Sequence, residues 1–355
     1  MDADFIVGGG FQKIKIWNRA NYTINKTIVG THVQGHYING LALDNTSLVS
    51  GSEDTTVRVW DRTNKFNLKK TLSNHTDTVF SVALDANVIV SGSADHTIKV
   101  WDRTNHFNLT KTLTLPYHVY IMSVALDENV IVSGSDVGRI RVWNRTNNYN
   151  LAKTLPAHGT WVDSVAMDDN IIVSGSADHT IKVWDRTNNY NLITTLYGHT
   201  GKVSSVALYA NVIVSGSVDH KIKVWDRTNN YNLITTLTGH SHDVTSVAVD
   251  ANIIVSGSFD NIIKVWDLNC ILNNITSTTT TTTTTSTTFT TTPPVTTPRN
   301  ATETLEAGQL AAGFIVAIAL GLGVGALVIW EGVRRMRPVY FSLKAGQGID
   351  TWQVA

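Results

Sequence analysis

VIVSGSVDHKIKVWDRTNNYNLITTLTGH, residues 212–240, holds two β-branched runs, VIVSGS and IKVW, on either side of a tight turn containing Asp219. β-Branched side chains fit a pleated, half-buried surface, and the Gly, Ser and Asp residues that bound them are turn formers, so both runs are strands. SVAL before them and NLITTL within the stretch complete a unit of four short strands. Helical periodicity is absent from the unit.

The unit recurs. Trp17, Trp60, Trp101, Trp143, Trp184, Trp225 and Trp266 follow one another at intervals of 43, 41, 42, 41, 41 and 41 residues. A fixed period near 41 marks a repeat architecture, in which one supersecondary unit buries its apolar face only by stacking on its neighbours. The repeats occupy residues 1–275 and predict an all-β domain.

The remaining chain has other chemistry. Residues 276–307 form a Thr/Pro-rich stalk; from Thr276 to Thr292, fourteen of seventeen residues are Thr. Such a tract has no core to bury and is expected to be disordered, as a plain linker or an O-glycosylated stalk. Residues 308–331 enclose LAAGFIVAIALGLGVGALVIW, 310–330, which carries no charge. Twenty-one residues make roughly 31 Å of helix against a hydrocarbon core of roughly 30 Å, so one transmembrane helix is expected. Residues 332–355 are a short tail opening with Arg334, Arg335 and Arg337.

Composition removes several function classes. The 355 residues carry 28 basic and 28 acidic side chains, against the basic excess usual in nucleic-acid binders. One cysteine, Cys270, leaves neither an intramolecular disulfide nor a thiolate-only zinc site. His32, His96, His179 and His220 share no metal-ligand spacing, so no metal and no cofactor are expected.

The repeats closely resemble the WD-repeat β-propeller family in their Gly-His pairs (Gly198-His199, Gly239-His240) and Trp-Asp pairs (Trp184-Asp185, Trp225-Asp226). The resemblance implies a seven-bladed propeller with an incomplete first blade. It also implies a structural tetrad in each blade, in which His, Ser, Asp and Trp share hydrogen bonds. The matching sets are His75, Ser91, Asp95 and Trp101; His158, Ser174, Asp178 and Trp184; His199, Ser215, Asp219 and Trp225; and His240, Ser256, Asp260 and Trp266. His36, Ser50, Asp54 and Trp60 form a fifth. Around Trp143 the turn reads Asp136-Val137-Gly138, so the acidic slot is shifted or lost and that blade should be the softest of the complete ones. His, Ser and Asp are also hydrolase triad residues, but a set repeated in five blades serves the fold. No catalytic residue is assigned.

The first unit, FIVGGGFQKIKIW, begins at its second strand, has Gly8 in the Ser slot and lacks the turn Asp. Its blade is therefore three-stranded or completed by chain after Trp266; a six-bladed ring closed by residues 22–28 on the last unit is the alternative.

Duplicated units keep what the fold needs, so the slots that vary are candidates for function. Three residues after the tetrad His stand Tyr37, Thr78, Tyr120, Trp161, Lys202 and Asp243; two residues further on come Asn39, Phe80, Met122, Asp163, Ser204 and Thr245. Before the turn Asp stand Glu53, Ala94, Ala177, Val218 and Phe259. In the family these slots open on the face that binds peptides. The expected binding residues are Tyr37, Phe80, Tyr120, Met122, Trp161, Asp163, Lys202, Asp243 and Phe259, a mixture of aromatic and charged groups typical of an interface hot spot. On the opposite face Arg62, Arg103, Arg145, Arg186 and Arg227, beside Asp61, Asp102, Asp185 and Asp226, are expected to be a solvated surface.

Gly313, Ala317, Gly321 and Gly325 recur every four residues and would line one face of the membrane helix, so a homodimer through it is expected. The positive-inside rule puts the C-terminus in the cytosol and the repeats outside, which suits eight Asn-x-Ser/Thr sequons. Against that orientation stand the absence of a signal peptide in MDADFIVGGG and the mostly cytosolic habit of the family. The function expected is a membrane-anchored, non-enzymatic scaffold or receptor for an unknown protein or peptide; the alternative is a surface adhesion or shielding glycoprotein.

Overall fold

The computed structural model describes residues 4–116, 118–278, 303–306 and 315–318, with side chains described as far as residue 273. Seven four-stranded antiparallel sheets form the seven blades of a propeller. Blades 2 to 6 each take four consecutive strands; blade 6, for example, is Val203–Tyr209, Val212–Ser217, Ile222–Asp226 and Asn232–Leu237. In blade 6 the two inner strands are buried, apart from the last two residues of the first, because each lies between neighbouring blades, whereas the outermost strand is exposed or half-buried throughout. The core is accordingly a set of wedges, Val and Ile of one blade packed against the conserved Trp of the next.

Chain from beyond Trp266 completes the ring at both ends. Glu303–Glu306 pairs with Ile262–Asp267 as the outer strand of blade 7. Ile315–Ile318 pairs with Phe5–Gly9 as the inner strand of blade 1 and lies between the inner strands of blades 7 and 2. Residues Ile24–Val29 pair inside blade 1, so the six-bladed closure does not occur. The register accounts for the choice of segment. Val316 and Ala317 face Gly8 and Val7 as Val82 and Ala83 face Ser91 and Val90 in blade 3, so the stretch carries the Val-Ala-apolar pattern of an inner strand.

These four residues fall inside the stretch expected to be one continuous helix, and they are extended here. Gly313, Gly321 and Gly325 lie outside the described residues, as does most of 276–355. Among the described residues no helix is long and apolar enough to cross a membrane. The one helix described, α1 (Leu268–Thr278), crosses the expected boundary at 275.

The arginines of the opposite face are not a solvated ring. Each reaches back to a carboxylate of the preceding blade: Arg103 to Asp44 at 2.5 Å, Arg145 to Asp85 at 2.5 Å, Arg227 to Asp168 at 2.6 Å and Arg186 to Asp127. Arg19 closes the first junction on Asp250 at 2.6 Å, and Arg62 takes Asp4 at 3.2 Å. Several also donate to a backbone carbonyl within their own blade, as Arg62 does to Asp44 O. Asp61, Asp102, Asp185 and Asp226 instead accept from their own turns. Charge-assisted bonds between neighbouring blades thus brace the rim.

The junction of blades 6 and 7 lacks both partners. Tyr209 stands where blades 2 to 5 and blade 7 have Asp, and Leu268 where the other six blades have Arg; both belong to one apolar cluster with Ile271 and Leu272 of α1. Losing either partner alone would bury an unpaired charge, and losing both gives α1 an apolar seat. Leu268→Arg is expected to destabilise by about 2 kcal/mol and Leu268→Arg with Tyr209→Asp to recover most of it. Equal urea midpoints for the single and double variants would refute the pairing.

Candidate functional site

The tetrads fix the loops of the variable face. In blade 3, Trp101 Nε1–H donates to Ser91 Oγ at 3.0 Å, Ser91 lies 2.7 Å from His75 Nε2, and His75 Nδ1 lies 2.7 Å from Asp95. Only one proton arrangement satisfies all four groups: Ser donates to Nε2, and a neutral His donates from Nδ1 to the carboxylate. The same chain runs through His158, Ser174, Asp178 and Trp184, through His199, Ser215, Asp219 and Trp225, and through His240, Ser256, Asp260 and Trp266.

In blade 2 the histidine is His32, not His36: His32 Nε2 is 2.8 Å from Ser50 and Nδ1 2.9 Å from Asp54. His32 and Asp54 are 22 residues apart, against 20 in the other blades, so two extra residues shift the ring off the expected position. Blade 4 keeps only Trp143 on Ser133, at 3.1 Å. Asp136 has moved one residue forward and accepts from Tyr120 N, leaving Val137 in the acidic slot.

Four tetrad histidines share one electrostatic pattern. Burial pushes His32, His75, His158 and His240 below the usual imidazole range, and the partner carboxylate only partly offsets it. Burial alone would raise the carboxylates, but bonds to His and neighbouring groups outweigh it, and Asp219 falls to about 2.

The variable slots are structurally equivalent. Tyr37, Thr78, Tyr120, Trp161, Lys202 and Asp243 each accept, at the carbonyl, the N–H of the residue before the turn, which is Glu53, Ala94, Asp136, Ala177, Val218 and Phe259 in turn. The second slot, Asn39, Phe80, Met122, Asp163, Ser204 and Thr245, is buried rather than exposed. Asn39 Nδ2 donates to Val79 O and Ser204 Oγ to Val244 O, so these side chains turn toward the inner strand of the next blade, where the ring is narrowest.

The nine expected binding residues therefore do not form one continuous patch. Phe80, Met122 and Tyr120 make an apolar cluster with Ala94, and His96 stacks on Tyr120 at 5.5 Å. Tyr37 packs on Phe11 of blade 1 at 5.1 Å. Asp243 is 3.6 Å from His220, which stacks on His242. Trp161, 41% exposed, lies under Lys202 Nζ at 5.7 Å, and the same ammonium is 3.0 Å from Asp163. Asp163 has no exposed surface, and its Oδ2 has no hydrogen-bond partner; burial, against the charge and hydrogen bond of Lys202, lifts it to about 6. The sequence reading missed His96, His220 and His242, although their place in or near the turn slots was visible. Among the described residues no group of three or more His, Cys, Asp or Glu could hold a metal ion.

A family model described as WD domain, G-beta repeat, matches residues 26–61, 66–102, 149–185, 190–226 and 231–267, just over half of the chain. The units around Trp17 and Trp143, where tetrad members are missing, are the ones it passes over. No curated protein matches. Among solved structures, the crystal structure of the computationally designed Ika8 protein is similar, with a TM-score of 0.64 and 26% identity over 93% of this chain and 94% of that one.

Proposed function

We propose a function from one premise: the chain belongs to the WD-domain, G-beta repeat family, and its propeller is a protein-interaction scaffold. The partner docks on the face where the slots vary, and the role is non-catalytic. The observation that carries this reading is the concentration of difference. Units that keep V-I-V-S-G-S and the Trp almost unchanged diverge at slots held equivalent by the same backbone bond, and one of those slots presents an exposed Trp161. Exposed large aromatics are enriched at interface centres.

Trp161→Ala and Phe259→Ala together are expected to weaken partner capture from cell extract by about tenfold while leaving the melting temperature unchanged. Undiminished capture would sink the assignment of this face. Lys202→Asp is unsuitable as a surface change, since it would set a second carboxylate over buried Asp163.

A membrane tether is part of the proposal, supported by the uncharged 310–330 and the arginines that follow it. A full span and the strand Ile315–Ile318 exclude one another, because 319–330 makes only about 18 Å of helix, so in the tethered form this segment leaves blade 1, which is then three-stranded. In membranes carrying the chain, a Val7→Cys, Ala317→Cys pair in a Cys270→Ser background is expected not to crosslink, and the chain should resist carbonate extraction. Crosslinking together with carbonate release would remove the tether.

A further inference from the structure

The second slot is neutral in every complete blade but one. Asn39, Ser204 and Thr245 hydrogen-bond to backbone carbonyls, and Phe80 and Met122 pack together. Asp163 alone carries a charge there, fully enclosed, with Oδ2 unbonded and Oδ1 held by one contact, to Lys202 Nζ at 3.0 Å. Burying a carboxylate with one oxygen unbonded is costly, and nothing in the blade requires it, since five other residue types fill the slot. Its cover is a flexible four-carbon side chain with 21% of its surface exposed, resting on an exposed indole.

The surroundings select the sign of a ligand. Across the three slots of the six blades, the charged residues are Glu53, Asp136, Asp163 and Asp243 against Lys202 alone. Glu53 and Asp136 are tied to backbone N–H groups, and Asp243 faces His220. These slots together therefore carry a net negative charge in a chain of zero net charge.

We propose that Asp163 is the anchor for one basic side chain of the docked partner, with Lys202 as an intramolecular placeholder that the incoming guanidinium or ammonium displaces while stacking on Trp161. A planar guanidinium can give both oxygens a hydrogen bond, whereas Lys202 Nζ is placed on Oδ1. Cation–π contact with the indole passes from Lys202 to the ligand. The inference rests on the reading of this face as the docking surface and names what that surface accepts.

The test uses the full chain and end-blocked pentapeptides Gly-Gly-X-Gly-Gly, with X arginine, lysine or the uncharged isostere citrulline, in ligand-observed NMR titrations. The arginine peptide is expected to bind and the citrulline peptide not to. Lys202→Met should tighten arginine binding by about tenfold by removing the competitor, and Asp163→Asn should weaken it by at least as much. Melting curves of both variants establish that they are folded; if Lys202→Met is not, Lys202→Gln replaces it. Failure of the arginine peptide to bind, or a Lys202 variant that binds no tighter than the parent, overturns the proposal. Equal binding of arginine and citrulline peptides also overturns it, while leaving the face as a peptide-docking surface.

Discussion

Gly138→Ala is expected to lower stability by about 4 kcal/mol or more, at the exceptional end of single substitutions. A Cβ at Gly138 would stand 2.2 Å from His158 O and 2.8 Å from Thr160 O. Both are backbone atoms, so no rotamer change relieves the clash. The contact is part of the stitching between blades 4 and 5: Ala157 N and His158 N both donate to Gly138 O, at 3.1 and 2.9 Å. The positive φ of 72° adds only about 1 kcal/mol, and the clash supplies the rest. Thr55, His96, His179, His220 and Asn261 hold side chains in the corresponding turns at φ of 65° to 70°. His179→Ala is therefore the matched control, with a small expected effect.

The loop that Gly138→Ala would displace also carries His158 of the blade 5 tetrad and leads into Trp161 and Asp163. Loss of stability should consequently come with altered arginine-peptide binding. Urea unfolding of the two variants decides the matter; a Gly138→Ala midpoint matching that of His179→Ala would mean the blades are not in this contact.

How far the sequence discloses this molecule depends on whether a feature repeats within one unit or bridges two. Strands, blade number and four of the five full tetrads follow from local pattern, because each unit restates them. His32 was hidden by a two-residue insertion that put His36 in the usual frame. Four of the six rim bridges join residues 59 or 60 positions apart, such as Arg103 and Asp44 or Arg145 and Asp85. Spacing alone favoured the neighbouring Asp, although the joint absence of Asp at Tyr209 and Arg at Leu268 was a readable sign of pairing. Variable slots were found by comparing units, but burial of Asp163 depends on the adjacent blade supplying Lys202, 39 residues later. Closure of blade 1 was obscured because Val316-Ala317-Ile318 sits in an uncharged stretch whose length alone satisfies a membrane span.

Acid should unfold the propeller well above the ordinary carboxylate range. Four tetrad histidines, His32, His75, His158 and His240, are buried and held neutral, below their unfolded value of 6.5. A group whose folded value is depressed favours the fold at high pH; as pH falls below 6.5 the unfolded chain binds a proton at each and the folded chain does not. Stability then falls by up to about 1.4 kcal/mol per pH unit for each histidine, or about 5 for four. Asp163 acts with the opposite sign. Raised to about 6 from 3.8, it binds its proton more readily in the fold, adding stability that is complete below 3.8 and lost as pH rises through 6. One group against four lessens the slope and does not reverse it. The tetrad carboxylates take over lower still, since stability held by Asp219 is lost only as pH falls toward about 2. Urea midpoints at pH 7.5 and 5.5 should therefore differ sharply, and Asp163→Asn, which removes the opposing group, should steepen the difference. A midpoint that stays level between those two pH values would mean the buried histidines take up protons in the folded propeller, and that the neutral Ser-to-His-to-Asp chain is not its resting state.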